Sequence, residues 1–151
     1  RHLYFHPKYP FVYLITELSN RIHCYKINDG SNLIEIQQLS TIPENKKCES
    51  FSADIAIDPL GFFLYTSNRG LDCISIFRIS QIDGTLKYLT TVSAEGRYPW
   101  SLDINSTGEF LIVANKHSNN VVLFQRNLEN GMLSKISELL DVPCTVTAKF
   151  F

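Results

Sequence analysis

The chain repeats itself three times. "RHLYFHPKYPFVYLITELSNRIHCYKINDGSNLIEIQQLST", "SADIAIDPLGFFLYTSNRGLDCISIFRISQIDGTLKYLTTVS" and "SLDINSTGEFLIVANKHSNNVVLFQRNLENGMLSKISELL" align as copies of one unit. Each opens with a short strand pattern (residues 3–5, 54–57 and 102–104) that ends in a turn, "HPKYP", "DPLG" or "NSTG". The strongest apolar run follows, then a polar tip, a third strand, and a hairpin into a fourth. Runs such as "FVYLIT", "FFLYTS", "EFLIVAN", "CISIFRI" and "NVVLFQR" are rich in β-branched and aromatic residues and bounded by Gly, Asn, Asp or Pro. That is the signature of strands rather than helices. The hairpins carry Asp-Gly or Asn-Gly, with Gly30, Gly84 and Gly131 spaced 54 and 47 apart. Such dipeptides favour the type I′ turn, which matches strand twist.

Four strands in a unit of this length is the arithmetic of a β-propeller blade, so the expected fold is all-β, built of four-stranded antiparallel blades. A single β-sandwich predicts no such self-similarity. The blades fall at residues 1–43, 52–97 and 98–143 of one partial domain, residues 1–151. Propellers run from about four to eight blades, so three do not close a ring. The tail "CTVTAKFF", residues 144–151, has the length and alternation of a first strand. It is expected to be a closing strand that completes the blade begun at the N-terminus, with missing blades upstream. The start at Arg1, without a methionine and inside a strand pattern, points to a fragment. Three open blades expose sheet faces, which predicts poor solubility unless other chain covers them.

Apolar residues make up 44% and charged residues 19%, which suits a soluble globular protein. The formal net charge of −1 gives no reason to expect a nucleic-acid or acidic-membrane partner. No run reaches the length of a membrane-spanning helix, and no signal-peptide pattern opens the chain. Cys24, Cys48, Cys73 and Cys144 are widely spaced without a CxxC pair, which reads as reduced structural thiols and a cytoplasmic protein. The sequon Asn105-Ser106-Thr107 points the other way.

Aligning the second strands places Thr16, Asn68 and Asn115 at one position and Glu17, Arg69 and Lys116 at the next, 52 and 47 residues apart. In an antiparallel blade the end of the second strand shares an edge with the start of the first. Arg1, His2 and Trp100 therefore belong on the same rim. Cations and one carboxylate focused on one mouth make an anion-binding site. No GxSxG, HExxH or glycine-rich phosphate loop is present. His2 and His6 fall on one side of a strand, but no third ligand follows at a metal-binding spacing, so no metal is expected. His23 and His117 read as surface or strand-packing residues, and Tyr13, Tyr65, Phe63 and Phe110 as packing between blades.

On "RHLYFHP", "TELSNRIHCY", "SADIAIDPLGFFLYTSNRG", "GEFLIVANKHSNNVVLFQRN" and "VPCTVTAKFF" the chain resembles the seven-bladed lactonase family, the propeller-type 6-phosphogluconolactonases and related carboxy-muconate cyclases. The resemblance covers essentially the whole chain. It implies a full protein of about twice this length, within the usual blade count. It also implies a cleft with Arg1 (beside His2), Glu17 and Arg69 as its catalytic-type residues, and a further histidine in an earlier blade. The chain departs from the family pattern at Ala56, where histidine is frequent, and at Trp100, where arginine often follows the proline. The expected activity is hydrolysis of a sugar lactone, 6-phosphogluconolactone to 6-phosphogluconate in the pentose phosphate pathway, without a cofactor. Arg69 and Arg1 would hold the anion and the developing oxyanion. Glu17 is the best base in this stretch, although neighbouring arginines would weaken it. His2, Lys116 and Trp100 would contact the small anionic lactone. Two other readings use the same rim: a cycloisomerase forming a lactone from a muconate, and a propeller serving only as a binding platform.

Overall fold

Each copy of the repeat folds into one four-stranded antiparallel sheet in the computed structural model, which describes residues 1–28, 32–43 and 49–151. Gly30 and Cys48 lie outside the described residues. The first sheet comprises β1 (His2–Phe5), β2 (Phe11–Thr16), β3 (Arg21–Asn28) and β4 (Asn32–Ser40). The second comprises β5 (Phe51–Ile57), β6 (Phe63–Arg69), β7 (Cys73–Ile79) and β8 (Leu86–Ser93). The third comprises β9 (Pro99–Ile104), β10 (Phe110–Asn115), β11 (Asn120–Arg126) and β12 (Leu133–Leu139). Strands are ordered as in the sequence within every sheet, the meander of a propeller blade. Among the described residues no helix is long and apolar enough to cross a membrane.

Successive side chains of a strand point to opposite faces, and the middle sheet uses both. All seven residues of β6 are buried. Leu64 joins Phe11, Tyr13, Ile15, Ile22 and Ile55 in the core between the first and second sheets. Its neighbours Phe63 and Tyr65 join Leu102, Leu111, Val113 and Phe124 in the core between the second and third. Ala56 belongs to this second core. The outer faces have no such cover: Leu3 and Phe5 of β1, and Ile136 and Leu139 of β12, are exposed.

A repeated latch joins neighbouring sheets. The Tyr13 hydroxyl donates to the Gly84 carbonyl at 2.9 Å, and the Tyr65 hydroxyl donates to the Gly131 carbonyl at 2.8 Å. Each glycine lies against the phenyl ring two residues before that tyrosine, so a Cβ on Gly131 would stand 2.5 Å from Phe63. The hairpins holding these glycines differ from the expected type I′ turn. A type I′ turn needs positive φ at both central residues, whereas only Gly84 and Gly131 adopt it, at 74° and 77°. The loop is four residues long: the Ser80 amide donates to the Thr85 carbonyl, and the Gly84 amide closes back on the Ser80 carbonyl at 3.0 Å. Asp83 stays at negative φ because its carboxylate accepts from the Thr85 amide and hydroxyl.

A second device recurs in every sheet. Asn20, Asp72 and Asn119, in the turns after β2, β6 and β10, take φ of 51°, 52° and 53°. Short polar side chains tolerate that left-handed region best. Their side-chain oxygens accept the amides of Ser52, Tyr98 and Cys144 at 2.8, 2.8 and 2.9 Å, fixing the path of the chain as it leaves each sheet. The tail after Cys144 therefore departs as the linker before β9 does. No strand forms there. The Phe150 amide donates instead to Asp103 Oδ2 at 3.0 Å, and Lys149 Nζ lies 3.5 Å from Asp103 Oδ1. A strand is defined by its ladder, and residues 145–151 have no ladder partner among the described residues.

Candidate functional site

Two β-bulges shape the rim. In β5 the register with β6 slips between Ser52 and Ile55, leaving Ala53 and Asp54 outside the ladder. In the β9–β10 pair Ser101 faces Ala114 and Pro99 faces Asn115, so Trp100 is the extra residue. A bulge frees backbone groups and re-aims side chains. Arg1, Ala53 and Trp100 occupy the same repeat position, 52 and 47 residues apart. The freed Ala53 carbonyl accepts Arg1 Nε at 2.6 Å, and Trp100 turns its ring toward the cations.

Glu17, just beyond β2, uses both carboxylate oxygens. Oε2 accepts Arg1 Nη1 at 2.8 Å, and Oε1 accepts Arg69 Nη2. Arg69 ends β6, where Nε also donates to the Phe51 carbonyl at 3.3 Å. Its guanidinium lies 4.7 Å from the Trp100 ring and 5.3 Å from Tyr98. Arg1 and Lys116 approach the same indole, at 5.2 and 4.3 Å. The Lys116 ammonium makes no ion pair among the described residues. The arginine side chains are nevertheless well shielded: Arg69 is 3% exposed and Arg1 15%, against 35% for Glu17. Hydrogen bonding by Arg69, and then by Arg1, holds the Glu17 carboxyl below its ordinary range.

His2 stands next to Arg1. Its Nδ1 lies 2.7 Å from Asp54 Oδ1, and its side chain is 46% exposed. Asp54 is buried, with Oδ1 accepting the Ile55 amide and Oδ2 the Leu102 amide. His6 is spent on structure: Nε2 lies 3.0 Å from the Gly61 carbonyl, and Nδ1 accepts the amides of Lys8 and Tyr9. Burial lowers its pKa.

The repeat thus brings Arg1, Glu17, Arg69, Lys116 and Trp100 into contact, with His2 one residue along β1. It gave no warning of Tyr98. Tyr98 has a φ of 63°, unusual for a bulky residue, and is held by its amide to Asp72 and its carbonyl to the Lys116 amide. Its ring stacks on His117 at 4.0 Å and lies 5.3 Å from the Arg69 guanidinium. His117, expected to be a plain surface or packing residue, is therefore part of the column that seats Arg69. Asp54 was also missed as a partner of His2; the available signal was its place in the "SADI" motif, at the repeat position of His2 itself.

The family model described as "Lactonase, 7-bladed beta-propeller" matches residues 1–150. The 6-phosphogluconolactonase of Bacillus subtilis is 36% identical over 99% of this chain, and that of Formosa agariphila is 39% identical over 100% of it. The chain spans 43% of the length of each. A crystal structure of a Lactobacillus plantarum protein superposes with a TM-score of 0.90 at 32% identity, 95% of this chain covering 42% of that one. The periplasmic gluconolactonase of Pseudomonas aeruginosa gives 0.88 at 25% identity, 95% of this chain covering 40% of it. Three four-stranded blades and the family match lead to one conclusion: the chain belongs to the lactonase family of seven-bladed β-propellers.

Proposed function

We propose that the protein hydrolyses a sugar lactone, with 6-phosphogluconolactone as substrate and 6-phosphogluconate as product, in the pentose phosphate pathway. One observation carries the reading: Arg1, Arg69 and Lys116 converge on Trp100 with Glu17 as the carboxylate between the two arginines. The surplus positive charge suits a substrate carrying a phosphate, and focused charge in a cleft raises the local concentration of such an anion. Lys116, with no carboxylate partner among the described residues, would take the phosphate. Arg1 donates to the lactone carbonyl as negative charge develops there. Arg69 is too deeply buried to reach the substrate, and acts by fixing Glu17 and the face of Trp100. Glu17, held ionised by two arginines, serves better as a clamp than as a base. The remaining blades would come from chain upstream, and residues 144–151 would pair with them as the closing strand. A cytoplasmic location belongs to the same proposal and rests on widely spaced cysteines without a CxxC pair.

The test is turnover by the full-length protein of freshly prepared 6-phosphogluconolactone, of unphosphorylated gluconolactone and of a carboxy-muconate. The reading expects preference for the phosphorylated lactone. Turnover of the muconate alone would transfer the site to lactonising cycloisomerisation, which uses the same cations and consumes no water. Saturable binding of sugar phosphates without turnover would leave a binding platform.

A further inference from the structure

The reaction needs a base to activate water, and the arginines weaken Glu17 for that task. The second carboxylate of the rim is differently employed. Asp54 is buried and outside the strand ladder, with backbone amides of Ile55 and Leu102 on its two oxygens at 2.9 and 3.1 Å. Both oxygens of the carboxylate are thus occupied by backbone donors. A carboxylate only accepts hydrogen bonds, so the 2.7 Å contact calls for a proton on His2 Nδ1. In the neutral ring that tautomer leaves Nε2 with its lone pair, on a half-exposed side chain. A carboxylate that orients an imidazole and stabilises its cation is the arrangement that makes histidine an effective base. The pair also stands beside the rim in the chain. His2 and Asp54 each follow directly the residue that makes the Arg1–Ala53 contact, about 3.8 Å away between Cα atoms.

We infer that His2 is the general base of this site and that Asp54 is its positioning residue, an inference that rests on the lactone-hydrolysis reading above. Nε2 takes a proton from water as the water oxygen bonds to the lactone carbonyl carbon. The tetrahedral intermediate then collapses with cleavage of the bond from that carbon to the ring oxygen. The departing ring oxygen takes the proton back from Nε2, and His2 is regenerated neutral. Water and lactone are consumed, and one hydroxy acid is formed. Its carboxyl group then ionises to solvent. The carboxylate of Asp54 keeps its charge throughout and moves no proton.

The experiment compares the full-length protein with His2→Ala and Asp54→Asn on freshly prepared 6-phosphogluconolactone, with kcat and KM resolved. His2→Ala should lower kcat about 10²- to 10⁴-fold with KM nearly unchanged. Added imidazole should restore part of the lost kcat, after subtraction of the reaction it catalyses without enzyme. Asp54→Asn should lower kcat by less and show no imidazole rescue, because the ring is present but misdirected. Should Asp54→Asn fail to fold, His2→Ala decides alone, since its side chain is half exposed at the start of β1. A wild-type kcat in His2→Ala, or a loss confined to KM, overturns the base assignment while hydrolysis stands. Absence of turnover by the wild type overturns both.

Discussion

Replacing Glu17 by glutamine removes the charge that two arginines share while keeping the size of the side chain. The amide can still accept from one guanidinium, but its NH2 group then faces the other, donor against donor. Arg69 is the one harmed, because at 3% exposure water cannot replace the lost partner. Removing one partner of a fully buried ion pair costs about 3–5 kcal/mol, and an exposed pair contributes about 0–1 kcal/mol. Glu17 is 35% exposed, and Arg69 keeps the Phe51 carbonyl and the faces of Tyr98 and Trp100. The expected loss therefore lies between the limits, at about 2 kcal/mol. Urea unfolding of the full-length protein, followed by far-ultraviolet circular dichroism, measures it. The measurement should be repeated in an Arg69→Met background, where most of the loss should vanish because the stranded charge is gone. An equal loss in both backgrounds would refute the reasoning, since the carboxylate would then be stabilising something other than Arg69.

Other consequences follow from the same contacts. Because Arg69 and then Arg1 hold the Glu17 pKa below its ordinary value of 4.5, the stabilisation is complete above that value and is lost as pH falls through the lower folded one. The stability gap between wild type and Glu17→Gln should be constant near neutral pH and shrink in acid; a constant gap throughout contradicts the assignment. Gly131→Ala should destabilise by about 1–3 kcal/mol, since a Cβ at φ 77° would meet Phe63 at 2.5 Å and spread the Tyr65 latch; thermal unfolding reads this. Lys116→Gln should reduce kcat/KM for 6-phosphogluconolactone more than for unphosphorylated gluconolactone, and equal reduction would remove Lys116 from phosphate recognition.

What was legible in the sequence was whatever the repeat carries. Offsets of 52 and 47 residues place Glu17, Arg69 and Lys116 on one edge, and the structure joins them to Arg1 and Trp100. The same offsets relate Asn20, Asp72 and Asn119, so these linker clamps were equally available to a reader of turn residues. Contacts that break the repeat were not. Arg126 donates Nε to the Tyr65 hydroxyl at 2.9 Å and lies 3.3 Å from Asp58 Oδ2, yet its counterparts in the other copies are Ile79 and Ile27. Tyr98 was hidden for a similar reason. Its positive φ goes with the hydrogen bond from the Lys116 amide to its carbonyl, a contact that local sequence does not reveal. The hairpins were misjudged because an Asp-Gly pair describes two residues, while the loop is closed by four.

The most direct test is the rate at which the full-length protein hydrolyses freshly made 6-phosphogluconolactone, measured beside an Arg69→Ala variant shown by circular dichroism to retain its sheet. The wild type should turn over rapidly and the variant should fall toward the spontaneous rate, because Glu17 and Trp100 lose the group that seats them. Undiminished turnover in Arg69→Ala, or none in the wild type, would contradict it.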